Sequence, residues 1–277
     1  MPDGRGGGGT GLPPSLEVAW GLRERPAKGP RPGLSLGRIV DAAIGVAAAE
    51  GIGAVSMGRV AKELGVSTMS LYRYVSARDE LYVLMQDAAY GPPPPAPGDV
   101  TGWRARLEWW AHAQRAVFHR NLWLLRIPIS SPPASPHALS WMERGLAALD
   151  GTGLDESRRI SVIMLVGGYV RNEATLMADL TAAVAARGET PAEVMRRYER
   201  TVGALIGPDP ATGTDPTPAT GPGAEPGPAP APDRYPALRH LLASGALGEP
   251  DDSPDAEFEF GLRCVLDGVE ALLSRNG

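Results

Sequence analysis

One short stretch of the chain concentrates side chains that are suited to hydrogen bonding with bases and phosphates. Between Thr68 and Tyr74 the sequence reads TMSLYRY, with two hydroxyls, two phenols and Arg73 within seven residues. Serine and threonine contact either base type, methyl-bearing side chains suit thymine, and arginine pairs best with guanine. The composition of this stretch therefore indicates binding to a partner rather than catalysis.

The residues just before this stretch have the spacing of a helix-turn-helix. Ala61, Gly65 and Leu71 follow the pattern A-x3-G-x5-L. A small residue at 61 lets two helices approach, glycine at 65 permits a positive φ in the turn, and leucine at 71 buries the second helix against a core. The outward positions of that second helix are then available to a partner.

The flanking sequence predicts four helices around this turn. Apolar residues at three- and four-residue steps predict a first helix from Leu36 to Glu50, with Ser35 as its N-cap. Ser56 is expected to cap a second helix, and a third covers Thr68 to Tyr74. Ser76 and Asp79 have the spacing of a capping box at the start of a fourth helix, which runs to Tyr90.

The span from LGRIVDAA at 36–43 to DELYVLM at 79–85 resembles the N-terminal domain of the TetR family of repressors. The most specific pieces are AAAEGIGAVSMGRVA, LGVSTMSLYRYV and SARDEL. The resemblance implies a helix-turn-helix DNA-binding domain at 34–90, with Thr68 to Tyr74 as the recognition helix in the major groove. The implied base contacts come from Thr68, Met69, Ser70 and Arg73.

The same resemblance indicates phosphate contacts, which fix the register on DNA without reading its sequence. The implied residues are Ser56, Arg59, Tyr72, Tyr74 and Arg78. Tyr74 has an alternative role as a core residue.

Within the first 33 residues, a disordered leader is expected at 1–15, followed by a basic arm that docks in part. Arg23, Arg25, Lys28 and Arg31 precede the first helix, and they fit either a DNA-contacting arm or a solvated tail. Nine cations against five carboxylates lie between Leu16 and Arg78, although the whole chain carries a net charge of −5. This asymmetry is typical of a small DNA reader attached to a larger acidic domain.

The pattern of residues 99–277 predicts a helical effector-binding and dimerisation domain. Because the N-terminal part is also predicted to be helical, the expected fold class of the chain is all-α. Within it, residues 208–232 are rich in proline and lack large apolar side chains, which predicts a disordered insertion. Three segments of this region resemble, more loosely, the C-terminal domain of the tetracycline-repressor branch: W-x-L with the Pro-rich loop at 123–136, ALSWMERGLAALDGTGL at 138–154, and the closing EFEFGLRCVLDGVEALL. The resemblance implies a palindromic double-stranded DNA operator, a homodimer and a small-molecule inducer.

A seam of apolar residues in the closing helix alternates steps of four and three, which suits packing between helices of two subunits. Gly167 and Gly168 would allow the long helix at 155–186 to approach closely. The alternative is an internal core helix. The predicted dimer seam consists of Phe258, Leu262, Val265, Val269 and Leu272.

The helical body is rich in tryptophan, which favours an aromatic-lined cavity for an apolar or aromatic inducer whose identity the sequence leaves open. The candidate ligand-binding residues are Trp110, Phe118, Met164, Tyr169, Asn172, Glu173 and Met177.

Other function classes find little support in the sequence. The motifs of a serine hydrolase, a zinc protease and a phosphate-binding loop are absent, so we predict no catalytic residues, no cofactor and no enzyme. His112 and His119 lack a neighbouring carboxylate on their face, which argues against a metal site. The chain has no apolar run long enough to cross a membrane, which predicts a cytoplasmic protein. A repressor is expected, with an activator or architectural DNA-binding protein as the alternative.

Overall fold

A computed structural model describes residues 11–22, 33–129, 132–206, 235–247 and 255–276. Within these ranges every regular element is helical, which confirms the predicted all-α class. The first five helices are α1 (Pro14–Ala19), α2 (Leu36–Glu50), α3 (Met57–Leu64), α4 (Thr68–Tyr72) and α5 (Arg78–Tyr90). The remaining helices are α6 (Gly102–Arg120), α7 (Pro136–Ala148), α8 (Glu156–Arg187), α9 (Pro191–Ile206), α10 (Pro236–Ala243) and α11 (Ala256–Asn276).

Two compact units divide the described residues. One contains everything up to Leu176 together with the residues from Phe260 onward, and the other runs from Met177 to Glu259. The first unit therefore holds α1 to α7, most of α8 and most of α11. The second holds the C-terminal end of α8, with α9 and α10. The predicted extents 34–90 and 99–277 stay predictions, and the insertion at 208–232 lies outside the described residues.

A serine is the N-cap of each of the three helices in the predicted helix-turn-helix region. Ser35 Oγ accepts a hydrogen bond from the N–H of Arg38 at 3.3 Å, and Ser56 Oγ accepts one from Arg59 at 3.1 Å. Ser67 begins α4 in the same way. Each cap satisfies a backbone donor that would otherwise have no partner within its helix, and contributes about 0.5–2 kcal/mol.

The turn between α3 and α4 depends on Gly65, whose φ of 66° lies in the left-handed region. Its N–H and that of Val66 donate to carbonyls in the last turn of α3. A helix as short as α4 is unstable alone, so tertiary packing must hold it. Leu71, Val60 and Ile39 are fully buried and supply that packing from α4, α3 and α2.

Two local predictions differ from the structure. The recognition helix ends at Tyr72 rather than Tyr74, since Arg73 already serves as its C-cap. The capping box predicted for Ser76 and Asp79 is wrong, because α5 begins after Ala77 and has no side-chain cap. Instead, the N–H of Ser76 donates to Glu80 Oε2 at 2.6 Å.

The helical body of the first unit is organised around Trp110 of α6. Its indole N–H donates to the carbonyl of Trp141 in α7 at 2.9 Å. The ring lies against Gly145 of α7, where a Cβ would come within 3.1 Å of it, and against Gly167 of α8 at 3.5 Å. The two glycines therefore let α7 and α8 approach the large ring of α6.

The second unit has polar contacts at the start of α9 and between α9 and α10. Thr190 and Glu193 form a reciprocal cap at the start of α9, with Thr190 N–H donating to Glu193 at 2.7 Å and Glu193 N–H donating to Thr190 at 3.3 Å. The Thr190 N–H and the Thr190 hydroxyl both donate to the Glu193 carboxylate, and they lower its pKa. Arg239 of α10 donates to the carbonyl of Ile206 at the end of α9 at 2.8 Å.

Substitution of Gly65 by alanine tests whether the turn conformation, rather than lack of space, requires glycine. A Cβ at Gly65 would meet no atom within 4 Å, and the same holds at Gly45 within α2. Gly65→Ala should lower the free energy of unfolding by about 1–2 kcal/mol, because alanine is strained at positive φ. Gly45→Ala should raise it by about 0.5–1 kcal/mol through helix propensity. Urea denaturation measures both, and equal effects would contradict the conformational explanation.

Candidate nucleic-acid interface

The recognition helix α4 has one buried face and one exposed face. Leu71 is fully buried, whereas Met69 is 74% exposed and Tyr72 is 46% exposed. Arg73, directly after the helix, is also exposed. The structure thus brings Met69, Tyr72 and Arg73 together on one surface that carries a methyl group, a phenol and a guanidinium.

Thr68 and Ser70 lie half-buried at the start of this helix. The Ser70 hydroxyl is 2.9 Å from the Ser67 hydroxyl, and the Ser70 N–H donates to the same Ser67 oxygen at 3.3 Å. This pair holds the first turn of α4. Each hydroxyl has one donor and two acceptor sites, so the pair retains hydrogen-bonding capacity toward a partner.

Tyr74 is half-buried, and its hydroxyl donates to the carbonyl of Leu34 at 2.9 Å. Leu34 lies just before α2, so this hydrogen bond joins the end of the recognition segment to the beginning of the first helix. The phenol proton has a structural role in this arrangement, which favours the core alternative for Tyr74.

Arg59 of α3 is held by two carboxylates. It pairs with Glu50 at 2.6 Å and with Glu63 at 2.7 Å. The hydrogen bond to Glu50 raises the pKa of Arg59 and lowers that of Glu50. A phosphate contact by Arg59 would compete with both carboxylates, so this guanidinium is less available than the sequence suggested. Ser56, which caps the same helix, is exposed.

Two further exposed arginines are candidates for this surface. Arg78, at the start of α5, is exposed and lies 5.5 Å from the centre of the Tyr82 ring. Arg38, in the first turn of α2, was counted in the sequence only as part of the net charge. Because the Tyr74 hydrogen bond places the segment just before α2 beside the end of the recognition segment, the exposed Arg38 is a further candidate for this interface. Its position three residues after the N-cap Ser35 was the available signal.

The predicted basic arm residues Arg23, Arg25, Lys28 and Arg31 lie outside the described residues. Helix α1 (Pro14–Ala19) crosses the boundary between the predicted leader at 1–15 and the arm that follows it, so the last two residues of the leader are helical.

Three of the predicted ligand-binding residues share the core of the helical body. Trp110 and Phe118 are buried, and Phe118 packs edge-on against Tyr90 at 5.9 Å. Glu173 of α8 accepts from Arg115 of α6 at 2.9 Å, and both side chains are only 11% exposed.

The core around these residues is tightly occupied. Arg171 lies 5.8 Å from the Phe118 ring centre, and it donates to the carbonyls of Leu125 and Ile127 at 3.1 Å. Burial raises the pKa of Tyr90 to about 12, so its phenol stays neutral. Arg115 and Glu173 already pair with each other, and Trp110 and Arg171 already donate to backbone carbonyls, so a ligand at this place would have to displace some of these contacts.

The other predicted ligand-binding residues are placed differently. Tyr169 is half-buried against Gly261 of α11, where a Cβ would overlap its ring. Met164, Asn172 and Met177 are exposed, so they do not join Trp110 and Phe118.

The predicted dimer seam on α11 is directed largely into the chain itself. Phe258, Leu262 and Val269 are buried, and Val265 and Leu272 are half-buried. A side chain with no exposed surface has nothing more to bury against a second copy. For the buried three, this burial favours the internal-core alternative, and the interface role of Val265 and Leu272 stays a prediction.

Different apolar residues of α8 and α11 are exposed. Met164 is 69% exposed and Phe260 is 63% exposed, with Ile160 and Leu165 also at the surface. Gly168 is exposed and would accept a Cβ without meeting any atom within 4 Å, whereas Gly167 faces Trp110. The periodicity of α11 predicts an apolar stripe, but it does not distinguish the apolar residues that the single chain buries from those that it leaves exposed.

The described part of the chain contains no group of three or more His, Cys, Asp or Glu residues that could hold a metal ion. A shallow surface pocket has a lining that includes none of the predicted ligand-binding residues: Pro92, Pro93, Ser140, Glu143, Arg144 and Ala147. None of the described helices is long and apolar enough to cross a membrane.

Known proteins share both parts of this architecture. Residues 39–85 match the family of bacterial regulatory proteins of the tetR type, and residues 94–206 match the tetracyclin repressor-like C-terminal domain. The HTH-type transcriptional repressor DrrR1 of Streptomyces coeruleorubidus is 35% identical over 263 residues, which cover 94% of this chain and 86% of DrrR1.

Solved structures of ActR from Streptomyces coelicolor have the same fold. Apo ActR has a TM-score of 0.64 and 26% identity, with 91% of this chain and 100% of ActR covered. ActR in complex with actinorhodin has a TM-score of 0.63 and 27% identity, with coverage of 87% and 98%. Together with the helix-turn-helix geometry, these similarities establish that the chain belongs to the TetR family of DNA-binding transcriptional regulators, which are not enzymes.

Proposed function

We propose that this regulator is a repressor that binds a palindromic operator as a homodimer and is released by a small-molecule inducer. The observation that carries the proposal is the placement of α4, which is anchored by buried Leu71 and presents Met69, Tyr72 and Arg73 outward after a glycine turn. The identity to DrrR1, named as a repressor, favours repression over activation.

The DNA contacts are assigned from the chemistry of the exposed groups. Arg73 is the best candidate for a guanine edge, Met69 for a thymine methyl, and Thr68 and Ser70 for either base type. Tyr72, Arg78 and Ser56 are suited to phosphates. Arg38 joins them as a phosphate-contacting residue, and Arg59 contributes only if it leaves its two carboxylates.

A homodimer is the assembly that a palindrome requires. One short recognition helix reads few base pairs, whereas two helices about 34–36 Å apart read successive major grooves. The uncovered apolar residues Ile160, Met164 and Phe260, with exposed Gly168, form the surface that we assign to the partner subunit. Burying such residues against a second copy removes them from water.

The inducer is assigned to the core between α6, α7 and α8. ActR was solved with actinorhodin bound, and this chain has the same fold. Here Trp110, Phe118 and the Arg115–Glu173 pair supply aromatic surface beside paired charges. We therefore expect an apolar or aromatic ligand that carries a few polar groups.

Binding of the purified protein to the DNA upstream of its own gene tests the proposal. Fluorescence anisotropy over a salt series would compare a palindrome from that region with a scrambled duplex. We expect palindrome-dependent binding that a cognate ligand reverses. Equal binding to both duplexes, and the absence of any preferred site in a genome-wide search, would refute it. A preferred site that raises transcription from the adjacent promoter would indicate an activator.

Replacing Arg73 tests whether this residue contributes to operator binding by contacting a base or only through its positive charge. Arg73→Ala should weaken operator binding roughly 5- to 150-fold, because a good arginine–guanine pair contributes about 1–3 kcal/mol. The matched control is Arg158→Ala, which removes an equally charged, 53% exposed side chain from α8. Anisotropy titration measures both variants, and similar losses would assign Arg73 a nonspecific role.

Replacement of Arg23, Arg25, Lys28 and Arg31 by glutamine tests the basic arm while leaving α1 in place. If the arm binds phosphates, the slope of log K against log salt concentration should fall by about 0.9 for each phosphate that the variant no longer neutralises. An unchanged slope would support the solvated-tail alternative.

The assignment of the dimer surface predicts that a charge at Met164 prevents association. Met164→Glu should shift the protein toward monomer in sedimentation velocity, because the carboxylate would be buried without a partner. Leu122→Glu is the control, since Leu122 is 49% exposed and lies in the 3-10 helix Leu122–Arg126, outside the surface assigned to the partner subunit. A dimer that survives Met164→Glu would place the interface elsewhere.

A further inference from the structure

The short helix α1 precedes the part of the chain that matches the family, which begins at residue 39. It is nevertheless packed into the first unit rather than separate from it. Leu16 is only 5% exposed and Ser15 is 3% exposed. This burial requires a docking place, and α1 has one on α5.

One end of α1 is attached to the DNA-binding domain. The Ser15 hydroxyl donates to Glu80 Oε1 in the first turn of α5. The other oxygen of Glu80 accepts the N–H of Ser76, which lies just after the recognition segment. Glu80 therefore joins α1 and the entry to α5 through a single carboxylate.

The other end of α1 is attached to the helical body. The indole N–H of Trp20 donates to the carbonyl of Ala134 at 2.9 Å. Ala134 is two residues before α7, so α1 spans from the helix-turn-helix domain to the entry of a helix in the effector domain.

The same entry is held from a second side by Asp87 of α5. Its carboxylate, only 9% exposed, accepts the N–H of His137 at 2.8 Å and that of Ala138 at 3.4 Å. His137 Nδ1 also lies 2.9 Å from the Asp87 carbonyl oxygen. The end of α5 thus holds the beginning of α7 directly. The beginning of α5 is connected to the same place through α1.

We propose that α1 is a strap that restrains α5 against the entry of α7, with Leu16 and Trp20 as its positioning residues. The consequence for DNA rests on the proposed palindromic homodimer. A restrained α5 limits the range of separations between the two recognition helices, so less conformational freedom is lost when both enter the DNA. Loosening the strap should therefore weaken binding to two half-sites more than binding to one.

The first measurement needs no DNA. Hydrogen–deuterium exchange of peptides covering 132–141 reports on the amides of His137 and Ala138, which Asp87 holds. Trp20→Phe keeps an aromatic ring but removes the donor to Ala134, and should speed their exchange about 2- to 12-fold, the range expected when one hydrogen bond is removed. Leu16→Ala should give a larger increase, since it removes most of a buried side chain.

Leu22→Ala is the matched control, because Leu22 follows α1 in the same segment but is 62% exposed. It should leave the exchange unchanged. If Leu16→Ala lowers the melting temperature while exchange at 132–141 stays that of the unmodified chain, α1 only adds stability and the strap is refuted. Equal acceleration in Leu16→Ala and Leu22→Ala would refute it as well.

The second measurement compares anisotropy titrations on a full palindrome and on a single half-site. Trp20→Phe should lose affinity for the palindrome several-fold while its half-site affinity is retained. Unchanged or increased palindrome affinity would overturn the role of the strap in DNA binding. If the unmodified chain shows no preference for any palindrome, the proposed function fails, whereas the exchange experiment still decides whether the strap exists.

Discussion

The buried carboxylate of Asp87 is the contact on which the arrangement of the first unit most depends. It sits near the end of α5 and accepts two backbone N–H groups from the start of α7. Four donors at a helix start lack partners within the helix, and a carboxylate is well suited to them. The indole N–H of Trp141, one turn into α7, donates to Gly91 just after α5 at 2.9 Å. A movement of α7 would therefore be transmitted to α5 through hydrogen bonds that cross from one helix to the other.

Much of the DNA-binding domain could be predicted from the sequence because its determinants are local. Ser35, Gly65 and the period of apolar residues fix helix limits through neighbours only a few positions away, and α2 has the limits expected from them. Contacts between distant parts of the chain could not be predicted. Glu80 accepts the N–H of nearby Ser76 and also accepts from Ser15, which lies 65 residues away in the chain, and no short window of sequence reveals the second contact.

The effector domain shows the same limit on helices that are apolar on more than one side. The period of α11 predicts a stripe of Phe258, Leu262 and Val269, but a stripe facing the chain's own core and one facing a second subunit have the same spacing. The two kinds of stripe can be distinguished only by burial in the single chain, where Phe258 is buried and Phe260 is exposed. On α8, adjacent Gly167 and Gly168 differ in the same way.

Cys264 is the only cysteine in the chain, and its thiol is exposed on α11. A nitroxide or fluorophore attached there needs no background substitutions, and each polypeptide then carries one label at one defined helical position. Within a symmetric assembly of two such chains, the label-to-label distance is a single spectroscopic value. A change in this distance when DNA or a small molecule is added would report a rearrangement of the subunits in solution.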